Sequence, residues 1–465
     1  MIHSRVRILS PSRHLCLNLP MEVDTMRQVT SYLAMVCMFV VCILTPCLAQ
    51  AQIAFEHVNA LPMTDEEVRT DWTVLVEGDR ITAAGPAEEV EVPETAERID
   101  GTGKYLIPGL AEMHGHVPSP NDGDEYIASL MFLYIANGVT TVRGLLGEPG
   151  QLALKDATAD GSLLGPALYL AGPAFNGGTV SSPEQADRRV REQVTEGWDY
   201  LKVLPGMTLE EFDAMAMAAN EEGIPFIGHV TAEAGLIHTI EMGQQTIDHL
   251  DGYIEYLRGE GDTIDPERLE TAIAMTKEYG VWVIPTMALW ETILGVPSTA
   301  DMADYEELQY MPPDMVASWG RSQDRRRAGS GFSQERQDLI AAQRIDLLRA
   351  LNEAGARILM GTDSPQVFSV PGFSHLRELP FMVDAGMSPY EILVSGTRAV
   401  GDYLHEEDTF GTITAGSRAD LILLNSNPLE DIMRVFDRAG VMARGQWVSE
   451  SDIQERLAEI AAGYQ

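Results

Sequence analysis

Tyr105-Leu-Ile-Pro-Gly-Leu-Ala-Glu-Met-His-Gly-His116 is the stretch on which the fold turns. It is an apolar run of strand character that ends in His114 and His116. Residues i and i+2 of a strand face the same side. Two imidazoles therefore leave the strand end together, near enough to hold one metal ion. A polar turn can also carry two histidines, so the pair alone does not decide the matter.

Working outward, eight strand candidates end near His116, Arg143, Ala174, Pro205, Val230, Asp251, Ala288 and Ser364. Helical stretches such as 209–222 and 232–242 lie between several of them. Alternating strands and helices predict a parallel sheet with crossover helices. Eight such units make an α/β fold of the (β/α)8 TIM barrel type, with its active site at the C-terminal strand ends. Lys202 lies in the fourth strand. His229, His249 and Asp363 end the fifth, sixth and eighth. Each has an ordinary reading alone, as a hydrogen-bonded core histidine or a helix cap. Together with His114 and His116 they make six metal-compatible residues at five strand ends.

The flanks are β-rich. Thr73-Val-Leu-Val-Glu-Gly-Asp-Arg-Ile81 reads as a hairpin around Gly78. Stretches from Gly411 and from Gly440 look similar. The expected organisation is a leader over 1–51 and a composite β-sandwich from 52–107 plus 409–450. The barrel occupies 108–408, inserted into that sandwich, and a helical tail covers 451–465. Between the seventh and eighth strands, 291–354 forms a long insertion, a candidate lid. Its Arg321, Arg325, Arg326 and Arg327 suit either a solvated turn or a clamp for a substrate carboxylate.

The 465 residues carry a net charge of −38. Tyr32 to Leu44 is nearly all apolar and Ala49-Gln50-Ala51 offers a small-x-small cleavage site, the pattern of a signal peptide starting at Met26. The run is short for a bilayer. A periplasmic or secreted protein without a stable membrane span is the expectation. Removing Arg5, Arg7, Arg13, Arg27, Glu22 and Asp24 with the leader turns 32 basic and 70 acidic residues into 28 and 68, a balance of −40. Such a surface repels nucleic acid and anionic membranes. All four cysteines, Cys16, Cys37, Cys42 and Cys47, lie in the leader. The mature chain then has no disulfide or thiolate ligand, and any metal is held by nitrogen and oxygen. Zinc is the first expectation for such a site, and manganese also suits it.

As a set, these residues resemble the amidohydrolase superfamily, in its imidazolonepropionase-like and Xaa-Pro dipeptidase branch. The motifs are Pro108-Gly-Leu-Ala-Glu-Met-His-Gly-His116, Gly138-Val-Thr-Thr-Val-Arg143, Leu201-Lys-Val203, His229 with Ile247-Asp-His249, and Gly361-Thr-Asp-Ser364. Arg377-Glu-Leu379, Ala385-Gly-Met-Ser-Pro389, Gly411-Thr-Ile413 and Ala419-Asp-Leu421 follow. The resemblance implies two divalent metal ions. His114, His116 and Asp363 would hold one, and His229 and His249 the other. Lys202 would bridge them after N-carboxylation by carbon dioxide. Such a pair can share a hydroxide and polarise a scissile carbonyl. The chain departs from the pattern at Glu112, Thr231 and Gly144, where Asp, His and Asp are usual, and the residue between the two histidines is Gly115.

The implied activity is hydrolysis of amide bonds in small peptide-like substrates, such as dipeptides or N-acyl amino acids, with Asp363 as general base and acid. Arg143 is a candidate for orienting the substrate. Tyr253 and Tyr256 are candidates for donating to the oxyanion, and His375 could reach the mouth. The alternatives are a lactonase or phosphotriesterase on the same metals, a mononuclear deaminase, and an inactive binding protein. Ala232 stands where deaminases of this kind carry Glu, and no ligand is missing, which counts against the last two. The partner is a small molecule, and a homo-oligomer is left open.

Overall fold

The computed structural model describes residues 52–259, 261–405 and 409–464. The expected leader, with every cysteine, lies outside the described residues. Among the described residues no helix is long and apolar enough to cross a membrane.

Five strands open the chain: β1 (Gln52–Ala60), β2 (Arg69–Glu77), β3 (Arg80–Pro86), β4 (Glu97–Asp100) and β5 (Tyr105–Pro108). β2 and β3 form the expected hairpin, turning through Gly78 at φ 60°. Then come β6 (Leu110–Gly115), β7 (Val139–Gly144) and β8 (Ala167–Leu170), a parallel three-stranded sheet. β9 (Leu201–Val203), β10 (Phe226–Gly228), β11 (Thr246–Asp248), β12 (Trp282–Ile284) and β13 (Arg357–Ile358) make a parallel five-stranded sheet.

Backbone contacts tie these two sheets at both margins. Parallel bridges join Ala171 to Tyr200 and Phe175 to Val203. On the other side Met113 N donates to Met360 O at 2.9 Å and His116 N to Ser364 O at 2.8 Å. Residues of β6, β7 and β9 to β12 are buried without exception, as strands covered on both faces must be. That is why the sequence shows apolar runs there rather than alternation.

The closing strands are β14 (Leu421–Leu424), β15 (Arg438–Ala443) and β16 (Gln446–Ser449). They join the opening strands in one hydrogen-bonded sheet of order β16-β15-β14-β5-β1-β2-β3, with β4 beside β1. Its connectivity is that of a single eight-stranded sheet, where the sequence suggested a sandwich. Alternation assigns its two faces. Leu106, Leu421, Leu423 and Met442 pack into the sheet's own small core. Ile107, Ile422, Leu424 and Val441 pack into the main core. Burying each such side chain contributes about 1.5–3 kcal/mol.

Local signals set the helices. Helix Leu209–Glu222 starts at a Thr208/Glu211 capping box and stops at left-handed Gly223. The seventh strand ends at Ile284 rather than near Ala288. Thr286, at φ 42°, turns the chain straight into helix Met287–Leu294. The expected insertion is helical, with Thr299–Ala303, Pro313–Arg327 and Gln334–Glu353 following.

Candidate metal centre

All six side chains singled out as metal ligands line one cavity of about 180 Å³ at the strand ends. Asp363 is central. Its Oδ1 lies 2.6 Å from His116 Nε2 and 3.5 Å from His114 Nε2, and its Oδ2 is 3.5 Å from His249 Nε2. Lys202 Nζ is 3.2 Å from His114 Nε2. The rings of His229 and His249 are 4.6 Å apart between centroids. Ligand atoms of His114, His249 and Asp363 all fall within 4.8 Å of one another.

Each histidine has an oxygen behind Nδ1. For His114 it is Asp248 Oδ2, a 2.8 Å ion-pair contact rather than a hydrogen bond. For His116 it is the Leu145 carbonyl at 2.8 Å, for His229 Asp251 Oδ2 at 2.5 Å, and for His249 Thr286 Oγ1 at 2.7 Å. The Leu145 carbonyl and the Asp251 carboxylate can only accept, so His116 and His229 carry a proton on Nδ1, whereas the Thr286 hydroxyl behind His249 can donate or accept. This is how ligating imidazoles are oriented. Burial holds His114 and His249 well below the usual histidine pKa and therefore neutral. His249 Nε2 is buried without a hydrogen-bond partner. The nitrogen and oxygen donors thus fit a divalent metal centre.

Burial also lowers the pKa of Lys202, although Asp248 and Asp363 oppose it. Asp363 behaves the other way. Burial would raise its pKa, but His114, His116 and Lys202 hold it at about 2.

The backbone is bent to reach this arrangement. His249, Thr286 and Asp363 all have φ between 42° and 63°, the left-handed region that non-glycine residues rarely occupy. Such outliers cluster where function requires them. Gly228 is required by contact. A Cβ there would lie 2.9 Å from Lys202 Cδ and 2.7 Å from Val203 O. Gly115 is likewise required by contact, since a Cβ there would sit 2.7 Å from Glu112 Cγ and 2.9 Å from Tyr134 Oη. The Glu112 carboxylate accepts from His114 N at 3.0 Å and Thr362 N at 2.7 Å, tying the first strand end to the eighth.

Three further expectations need correction. Arg143, expected to orient a substrate, does not line the cavity. It is fully buried behind His114, donating to Met113 O at 2.7 Å and Tyr403 Oη at 2.9 Å, with Asp248 3.4 Å away. Tyr253 and Tyr256, expected as oxyanion donors, do not line the cavity either. The Tyr253 hydroxyl is buried against Thr276 Oγ1. Tyr256 lies under the Arg268 guanidinium. The chain enters helix Tyr253–Arg258 directly after the sixth-strand turn, and residues three apart share its face toward helix Pro266–Glu278. His375 is likewise buried, 3.9 Å from Glu112, and does not line the cavity.

Asp248, Asp251, Thr286 and Trp290 were missed. Asp248 had a readable signal. It stands two residues after Thr246 on a buried strand, so both point inward, and both meet Arg143. Thr286 and Trp290 had none, since their placement follows from the left-handed turn. Exchanging the Asp248 carboxylate for an amide in Asp248→Asn should weaken metal affinity about 10–100-fold. Competition with a coloured chelator reads this out, and unchanged affinity would contradict the orienting role.

Parallel strands whose ends gather tethered imidazoles, a carboxylate and a lysine define a metallohydrolase. The Amidohydrolase family model matches residues 105–448, and the chain belongs to that family, as a hydrolase of carbon–nitrogen bonds. Among its relatives is an ochratoxinase of Aspergillus niger, 23% identical over 399 residues, covering 71% of this chain and 72% of that one. An imidazolonepropionase of Streptomyces coelicolor is 26% identical over 379 residues, covering 77% and 86%. Similar solved structures include a bottromycin amidohydrolase with a TM-score of 0.71, 22% identity and 89% and 90% coverage. A Xaa-Pro dipeptidase has a TM-score of 0.63, 21% identity and 86% and 100% coverage.

Proposed function

We propose that this chain is a two-metal amidase of small peptide-like molecules, built on a closed eight-stranded barrel. The observation that carries it is the single cavity that gathers four imidazoles, three of them hydrogen-bonded at Nδ1, with one carboxylate and one lysine. Three curated or structural relatives carry names of amide-cleaving enzymes: ochratoxinase, Xaa-Pro dipeptidase and bottromycin amidohydrolase. The cavity is small beside the roughly 300–1,000 Å³ of pockets for drug-sized ligands.

His114, His116 and Asp363 would hold one ion, His229 and His249 the second, with zinc the expected metal. When bound, the ions supply a water of lowered pKa and polarise the carbonyl. Neutral Lys202 Nζ would add carbon dioxide with release of one proton, and the carbamate would supply anionic oxygen to the metal centre. Asp363 takes the proton of the attacking water and delivers it to the departing amine nitrogen. Water thus adds its hydroxyl to the acyl carbon and its two hydrogens end on the acid and the amine. A screen of metal-loaded protein against amides, lactones and phosphotriesters tests the reading. Faster cleavage of either ester class than of any amide overturns it.

The protein is proposed to work outside the cytoplasm. N-terminal sequencing of exported protein should begin near Ala51, and an intact Met1 or Met26 would refute cleavage.

A further inference from the structure

The side chains in the cavity wall that hold no metal are Leu146, Leu204, Trp290, Ile293 and Gln366. Four are apolar. Among the described residues that line the cavity, Lys202 is the only lysine or arginine, and it belongs to the metal centre. The arginines that could have clamped a carboxylate lie elsewhere. Arg321, Arg325 and Arg326 are exposed on helix Pro313–Arg327. Arg327 is bonded to the Gly295 carbonyl and stacked on Phe332. Arg344 is buried, stacked on Trp290 and donating to Pro285 O at 3.2 Å. A substrate carboxylate against this wall would lose its hydration with only the neutral Gln366 amide to receive it and no cationic partner. The chain's net charge of −38 opposes anions before they arrive. By contrast, Trp290 and Ile293, one helical turn apart on Met287–Leu294, offer a broad apolar surface beside the ligands.

We infer that the preferred substrate is an uncharged amide with a bulky apolar group next to the scissile bond, rather than a free dipeptide or N-acyl amino acid. This rests on the amidase reading and narrows it. Gln366 is the polar wall group able to bond the amide or a neighbouring carboxamide.

Three compounds with one scissile bond test it on metal-loaded full-length protein: phenylacetyl-alaninamide, phenylacetyl-alanine and acetyl-alaninamide. The first should exceed each of the others in kcat/KM by roughly 10-fold or more, as aromatic burial and an unpaired charge require. Ile293→Arg sets a cation in the wall and should move the ratio toward phenylacetyl-alanine. Trp290→Ala should narrow the gap between the phenylacetyl and acetyl amides. Faster cleavage of phenylacetyl-alanine than of its carboxamide, or equal rates for the acetyl and phenylacetyl amides, overturns the inference and leaves the amidase standing. No cleavage of any of the three by protein with a full metal complement overturns both.

Discussion

Lys202→Met should lose metal before it loses its fold. Methionine keeps an unbranched apolar stem, so the packing against Gly228 survives. What disappears is Nζ, which lies 3.2 Å from His114 Nε2 and 3.7 Å from Asp248 Oδ2. A side chain that is 1% exposed in an apolar strand is an expensive place for an ammonium ion. Burial therefore favours the neutral amine, the form able to take up carbon dioxide. The wild-type protein should hold about two ions per chain and the variant about one or fewer, with turnover down at least about 10²-fold, as for loss of one group from a charge-stabilising site. Metal analysis after dialysis, with circular dichroism to show the fold intact, decides it. A variant with its full metal complement and normal turnover ends the bridging role.

The legibility of this chain in sequence follows from what each feature depends on. His114, His116, Lys202, His229, His249 and Asp363 could be placed because each sits at or beside a strand end, and strand ends in a parallel α/β fold face one side. Period and apolar runs are local properties. Tyr253 and Tyr256 failed because proximity to His249 in the chain says nothing about the face a following helix turns inward. Arg143 failed for a related reason. It does lie at a strand end, but its inward direction meets Asp248 and Tyr403 before any solvent. The oxygens behind the four Nδ1 atoms come from residues 22 to 134 positions away or from a carbonyl, which carries no residue signature. The insertion's length was visible, yet which of its residues form the wall depends on the turn at Thr286.

Asp363→Asn should separate proton transfer from metal binding. The amide keeps the shape of the carboxylate and one oxygen for the ion. The left-handed backbone at φ 60° suits Asn as well as Asp. Its backbone hydrogen bond to the His114 carbonyl, at 2.6 Å, is untouched. The amide cannot accept the proton of the attacking water, nor return one to the amine nitrogen. Asp363 is suited to both steps by position, within 2.6 Å of His116 Nε2 and 3.5 Å of His114 and His249 Nε2. His114, His116 and Lys202 hold its pKa low against the effect of burial, so the base is ionised before substrate arrives. The expected variant binds metal and substrate but turns over about 10²–10⁴-fold more slowly, what a positioned acid–base contributes. The loss should fall in kcat and kcat/KM together, since the missing step belongs to the transition state. Single-turnover measurements on the best amide, with metal content determined on the same sample, read both quantities. Near-normal turnover in a metal-replete Asp363→Asn would remove Asp363 from proton transfer and leave it as a ligand only.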